Sequence, residues 1–206
     1  DRRVKDAEEL DNLRQAQKVT EDAMRMACET VAGATSGSDG VLHTNGTPLT
    51  SQRLRTMIDT FLLEQNFFNP PCIVAGGSDG GDCHELGSGE LFTEQPVIID
   101  IFPLDKSSMY NGDCTRTVVH GNVPDEIIRM HAAVAEAKQS ATSIIKAGVA
   151  GEEVHLETIR VLKKHGYVEG LPKENDPPTF CSMPHGTGHG IGLDVHEPPL
   201  LDRNGA

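Results

Sequence analysis

The strongest chemical signal in the chain is a run of histidines set among glycines: Pro184-His185-Gly186-Thr187-Gly188-His189-Gly190-Ile191-Gly192-Leu193-Asp194-Val195-His196-Glu197-Pro198. His185 and His189 are four apart and His196 follows seven later. Glycine lets backbone approach a ligand and leaves neighbouring imidazoles unshielded. Such a run suits metal ligation or hydrogen bonding to a substrate. A purely structural polyglycine turn is the weaker reading, and a zinc finger is excluded because no Cys pair stands at matching spacing.

Two aspartates form the second constellation. Asp100 closes the apolar run Val97-Ile98-Ile99, and Asp113 follows Asn111-Gly112 ahead of Cys114-Thr115-Arg116-Thr117. A carboxylate at the end of an apolar strand is poorly solvated and needs a cation or several donors. If the two segments pair as a hairpin, the carboxylates face one another, and one takes up a proton unless a metal neutralises both. The alternative is a strand-end Asp and a turn Asp bonded to backbone. On these segments alone the two readings stand level.

The third is His84, in the glycine-rich stretch from Gly76-Gly77 to Gly87-Ser88-Gly89 that follows the short apolar run Cys72-Ile73-Val74-Ala75. A loop histidine beside a strand end is a reasonable site residue. Taken alone, a plain loop histidine is the better reading.

In this order the three pieces resemble the pita-bread metallopeptidases: aminopeptidase P, prolidase, methionine aminopeptidase and the related creatinase. The run from His185 to Pro198 is the most specific part and Asp113-Cys-Thr-Arg-Thr the next. The helix that begins near Val4-Lys5-Asp6 also looks like the start of that catalytic domain. The resemblance implies metal-dependent hydrolysis of peptide bonds adjacent to proline by a metal-activated water. Asp100, Asp113 and His189 match metal ligands, with Asp113 bridging two divalent ions (Mn, Co or Zn). His84, His185 and His196 match substrate-side catalytic histidines. The Asp-x-Thr-Arg-Thr string and the Leu-Asp-Val-His ending favour the Xaa-Pro aminopeptidase and prolidase branch. The implied partner is a proline-containing peptide, and a homodimer is the implied assembly. Rival readings are a non-catalytic pita-bread binding module and a metal-free hydrolase like creatinase.

Two departures stand against the family pattern. Asp113 lies thirteen residues after Asp100, two more than usual, and Ile101-Phe102-Pro103 follows the first Asp; a longer hairpin loop absorbs both. The family also takes two glutamate ligands from strands downstream of the His-rich run, whereas only Glu197 and nine further residues follow His196. The expectation is a single catalytic domain over 1–206, incomplete at its C-terminus and lacking the family's usual N-terminal domain. Weak or absent metal, no turnover and an uncovered sheet edge are expected of such a chain.

The elements that must position these residues are legible as patterns. Apolar residues recur at three and four over 5–33 before Gly33, predicting a long helix. Asn45-Gly46 predicts a hairpin. Thr50 or Ser51 caps a second helix with Leu54, Ile58, Phe61 and Leu62 on one face. Extended segments are predicted at 72–75, 97–99 and 115–119. Helices follow from Pro124-Asp125-Glu126 to about Ala147 and from Glu152 to His165. The fold class is therefore α+β, a curved, mostly antiparallel sheet with helices on one face.

Composition narrows the function classes. The 206 residues are 37 % hydrophobic and 24 % charged, ordinary for a globular domain. Eighteen basic against 31 acidic residues leave a net charge of −13, which argues against nucleic acid or an anionic membrane as partner. No dinucleotide or P-loop motif is present. The charged start Asp1-Arg2-Arg3 is no signal peptide, and five cysteines without CxxC spacing read as reduced thiols in a cytoplasmic protein.

Overall fold

Helix α1 (Ala7–Ala32) starts at a reciprocal cap. The Asp6 carboxylate accepts from the Glu9 amide at 2.9 Å, and the Glu9 carboxylate accepts from the Asp6 amide at 2.8 Å. Such a box satisfies two amides that the first turn cannot pair internally. The computed structural model describes residues 2–177 and 180–205. Asp1, in the charged start, and Pro178, Thr179 and Ala206, in the Pro- and Gly-rich tail, lie outside the described residues. Residues 4–124 with 191–195 form one compact unit; 125–190 with 196–205, together with Arg2 and Arg3, form a second.

In the N-terminal unit, α1 leads into a three-stranded antiparallel sheet, β1 (Thr35–Ser36), β2 (Leu42–Thr44) and β3 (Thr47–Pro48). Asn45 and Gly46 make its predicted turn, with φ of 53° and 72°. Helix α2 (Ser51–Glu64) is capped by Thr50, whose hydroxyl accepts from the Arg53 amide at 3.1 Å. Then come β4 (Phe67–Phe68), β5 (Ile73–Gly76), a 3₁₀ turn at Gly77–Gly81, β6 (Pro96–Ile101), β7 (Leu104–Asp105) and β8 (Cys114–Val119). Strands β5, β6 and β8 form an antiparallel sheet with β6 in the centre.

Strand alternation divides the side chains of β6. Val97, Ile99 and Ile101 are fully buried, while Pro96, Ile98 and Asp100 are half-buried on the other face. The buried face meets Val74, Cys114 and residues of α1 and α2, including Ala16, Ala23, Leu54, Ile58 and Leu62. Each fully buried Ile contributes about 1.5–3 kcal/mol. The helices thus cover one face of this sheet, as the sequence reading expects.

The C-terminal unit holds α3 (Asp125–Ile144), α4 (Gly151–Lys164), β9 (Val168–Glu169), β10 (Ser182–Met183), β11 (Gly188–Gly190) and β12 (Glu197–Leu201). Helix α3 ends three residues short of the expected boundary. It buries Ala133, Ala137 and Ala141, one small residue per turn, and packs against Val161 and Leu162 of α4. Strands β9 and β10 pair in parallel, and β11 and β12 pair antiparallel. Among the described residues, no helix is long and apolar enough to cross a membrane.

Candidate metal and substrate site

Asp100 and Asp113 come to one sheet face. Pairing of β6 with β8 sets Asp100 opposite Thr115 and Ile101 opposite Cys114. Asp113 stands one residue ahead of β8, and alternation gives it the parity of Thr115, on the face turned from the core. The pairing expected of the two segments is present, but its register puts Thr115, not Asp113, directly across from Asp100. Asp113 is the diagonal neighbour, a relation that typically spans about 7–8 Å between backbones.

Both aspartates are held from the chain around them. Thr115 Oγ1 donates to Asp100 Oδ1 at 2.6 Å. The Asp113 amide donates to Gln17 Oε1 of α1 at 3.1 Å. Gly112 fits because a Cβ there would lie 2.0 Å from Thr20 Oγ1 and 2.8 Å from the Ala16 carbonyl. The close approach of α1 therefore dictates glycine before the second carboxylate. The residues between the aspartates make a turn closed by the Leu104–Asn111 bridge, and β7 within them pairs with the earlier strand β4. Asn111 is buried, and both its amide and its Nδ2 donate to the Gly192 carbonyl at 3.0 Å.

The glycine-rich run places His189 and His196 on the β11–β12 hairpin, with His185 three residues ahead of it. His189 lies in β11, and its ring meets the His196 ring edge-on, with centroids 4.3 Å apart and planes at 76°. His189 Nδ1 lies 3.0 Å from the Gly190 carbonyl, and His185 Nδ1 lies 2.8 Å from the Gly186 carbonyl. A carbonyl only accepts, so each Nδ1 carries a proton and donates it to that oxygen. A backbone carbonyl holding the remote nitrogen in this way is the usual arrangement for a metal-ligating imidazole. His185 itself is exposed. Glu197, also in the run, is buried, and its Oε1 accepts from Arg2 Nη1 at 3.4 Å.

His84 sits in the exposed connection between β5 and β6. Its amide donates to Asp82 Oδ1 at 2.9 Å, and its Nδ1 lies 3.7 Å from Cys83 Sγ. Among the described residues, Asp82, Cys83 and His84 are the one group of three donor side chains within 4.8 Å of one another. All three are open to solvent and consecutive in sequence. The loop is tied down just beyond them, where the Val74 amide donates to the Leu86 carbonyl at 3.0 Å and Arg55 Nη1 donates to the Gly87 carbonyl at 3.0 Å. A cleft of about 450 Å³ beside α1 is lined by Leu10, Gln17, Asn111 and Ile191, among others, but by neither aspartate. This cleft therefore does not mark the chemistry of the unit.

Sequence reasoning missed the residues that hold these groups: Thr115, Gln17, Asn111, and a buried His155 whose Nδ1 lies 3.0 Å from Thr187 Oγ1. Thr115 alone had a signal, since it alternates with the neighbours of Asp113.

The profile of metallopeptidase family M24 matches residues 11–206, and the chain belongs to that family. Its fold is the pita-bread fold. The chain is 26 % identical over 132 residues to Xaa-Pro aminopeptidase 3 of Dictyostelium discoideum, covering 62 % of this chain and 25 % of that protein. It is 26 % identical over 147 residues to the Xaa-Pro dipeptidase of Pyrococcus furiosus, covering 69 % and 38 %. The solved prolidase from Pyrococcus horikoshii OT3 superposes with a TM-score of 0.79 at 23 % identity, over 98 % of this chain and 51 % of that one. The chain thus spans a quarter to a half of the length of the relatives it matches.

Proposed function

We propose that the protein carrying this chain hydrolyses peptide bonds adjacent to proline, as an Xaa-Pro aminopeptidase or dipeptidase, with two divalent ions as cofactor. The observation that carries the reading is the shared face of Asp100 and Asp113 at the end of a buried sheet. Two carboxylates at such a position repel unless a cation neutralises them. In this reading Asp100, Asp113 and His189 would hold the ions. An oxygen-rich donor set with one imidazole suits Mn, Co or Zn. The hydrogen bond from His189 Nδ1 to the Gly190 carbonyl supports its part in that set.

When bound, the ions supply a water activated at neutral pH and polarise the scissile carbonyl. The chain's own histidines do the rest. His84 and His196 orient the peptide. His185 stabilises the developing oxyanion. Five free thiols support a reducing, cytoplasmic setting. A homodimer is the proposed assembly.

The test is proline release from Gly-Pro and from an Xaa-Pro tripeptide by the metal-depleted whole protein that carries this chain, before and after Mn(II) is restored, since no turnover is expected of the chain alone. Manganese-dependent release that Asp113→Asn abolishes, with the far-UV spectrum unchanged, is the expected result. Release that survives chelation would instead support a metal-free, creatinase-like hydrolase. Intact fold with neither release nor metal uptake would support a binding module.

A further inference from the structure

The glycine-rich run poses a mechanical problem. Gly186 and Gly188 flank Thr187, so the backbone between His185 and His189 has little intrinsic stiffness. Imidazoles that ligate or donate must nevertheless be held to a fraction of an ångström.

The C-terminal unit supplies a side-chain anchor at the centre of that segment. His155, on α4, is 3 % exposed. Its Nδ1 lies 3.0 Å from Thr187 Oγ1 and its Nε2 lies 3.3 Å from Glu169 Oε1. Glu169, on β9, is gripped in turn by Arg203, whose Nε and Nη2 donate to its two oxygens at 2.6 and 2.5 Å. An ionised carboxylate only accepts, so Nε2 of His155 carries the proton that Glu169 receives. In the neutral ring, Nδ1 then accepts, and the Thr187 hydroxyl must donate to it. The Thr187 amide is occupied as well, donating to the Leu201 carbonyl of β12 at 2.7 Å. Four residues from separate parts of the unit thus form one directed chain, from Arg203 through Glu169 and His155 to Thr187.

We propose that His155 is a positioning residue: through Thr187 it locks the His185–His189 segment in the geometry that metal and substrate require. The inference rests on the reading above for the roles of His185 and His189, but its anchor is independent of them. A buried imidazole with both nitrogens engaged, aimed at the middle of a glycine-flanked motif, accounts for an ionisable group at 155 on a buried helix face. The other buried residues of α4 are Gly151, Val154, Thr158, Ile159, Val161 and Leu162, none of them ionisable.

The experiment compares His155→Phe, which keeps ring volume and loses both hydrogen bonds, with Thr187→Val, which removes only the hydroxyl. Two readouts are taken on the full chain: the imidazole signals of His189 and His196 by heteronuclear NMR, and Co(II) affinity by titration. Both variants are expected to shift or broaden the two ring signals and to weaken Co(II) binding by about tenfold, the range for outer-sphere partners of ligating histidines. The double variant is expected to be no worse than either single one, and His155→Asn, which restores a partner near Nδ1, to recover part of the loss. Wild-type ring signals in Thr187→Val, or losses that add in the double variant, would overturn the proposal. If His155→Phe does not fold, Thr187→Val decides alone. If the wild-type chain takes up no Co(II), that agrees with the weak metal binding expected of it, and the ring signals decide the positioning role; the functional reading is decided by the whole protein's Mn(II)-dependent release.

Discussion

Asp100 stands directly across the β6–β8 ladder from Thr115, and the Thr115 hydroxyl donates to Asp100 Oδ1 at 2.6 Å. The bond occupies one carboxylate oxygen with a neutral donor and restrains the carboxylate's orientation. Thr115 is exposed, so its removal opens no cavity. Thr115→Val is therefore expected to change stability by less than about 0.5 kcal/mol. The same substitution is expected to weaken divalent-metal affinity by roughly tenfold. Asp100→Asn is expected to weaken it further. Calorimetric titration with Mn(II), paired with urea denaturation, separates the two effects. Equal metal affinity in Thr115→Val and wild type would show that the hydroxyl does not orient the carboxylate.

Gly112 carries the second aspartate against α1. A methyl group there would lie 2.0 Å from Thr20 Oγ1 and 2.8 Å from the Ala16 carbonyl. Thr20 is fully buried, its hydroxyl already donating to the Ala16 carbonyl at 2.8 Å, so it has no room to turn aside. Gly112→Ala is expected to destabilise the N-terminal unit by about 2–3 kcal/mol, the range for overpacking. It would also displace the Asp113 amide from Gln17. A urea midpoint unchanged by the substitution would mean that α1 and β8 separate at little cost.

These two sites show what a single sequence makes legible. Periodicity located α1, α2, α4 and the strand bearing Asp100, because each buries one face and alternation or a 3.6-residue repeat records that. The motif run disclosed the histidines because glycine spacing is a local property. The partners of those residues are not local. Thr115 lies fifteen residues from Asp100, Gln17 ninety-six from Asp113, and His155 thirty-two from Thr187. Nothing in one sequence records such distances. The hairpin register was likewise open, since a one-residue slip would have put Asp100 on the core face with Ile99 outside. The hydrophobic triplet Val97, Ile99 and Ile101 selects the observed register only once β5 and β8 are known to flank it.

Acid is expected to loosen the C-terminal unit first. Hydrogen bonds from Arg203, with a smaller contribution from His155, hold the Glu169 carboxyl down at about 2, against a usual 4.5. Hydrogen bonds from Arg160 and Ser140 do the same for Glu157, also to about 2. A carboxyl whose pKa is depressed by folding contributes stability that is fully present above the unfolded value. That stability is lost as pH falls from 4.5 toward 2. Arg203 is 54 % exposed, so solvent screens the pair and about 1–2 kcal/mol is a fair magnitude for Glu169. Thermal melts at pH 5, 4 and 3 are expected to show a falling midpoint. Glu169→Gln is expected to flatten that dependence. An identical acid slope in wild type and Glu169→Gln would remove Glu169 from the account.

Thiol reactivity gives an independent reading of the N-terminal unit. Burial pushes the Cys72 thiol and the Cys114 thiol above the ordinary range, and both side chains are closed to reagent at 1 % and 5 % exposure. Attack requires thiolate and access together, and these two lack both. Cys83 lies exposed on the loop beside His84. With an aromatic disulfide reagent at pH 8, Cys83 is expected to react in the fastest phase. Cys72 and Cys114 are expected to react only at the rate at which the core of α1, α2 and the β5–β6–β8 sheet opens. Cys83→Ser should therefore delete the fast phase and leave the slow one untouched. Gly112→Ala should accelerate the slow phase, because it weakens the packing of α1 on β8. A fast phase persisting in Cys83→Ser at full amplitude would show that Cys83 is not the fastest-reacting thiol.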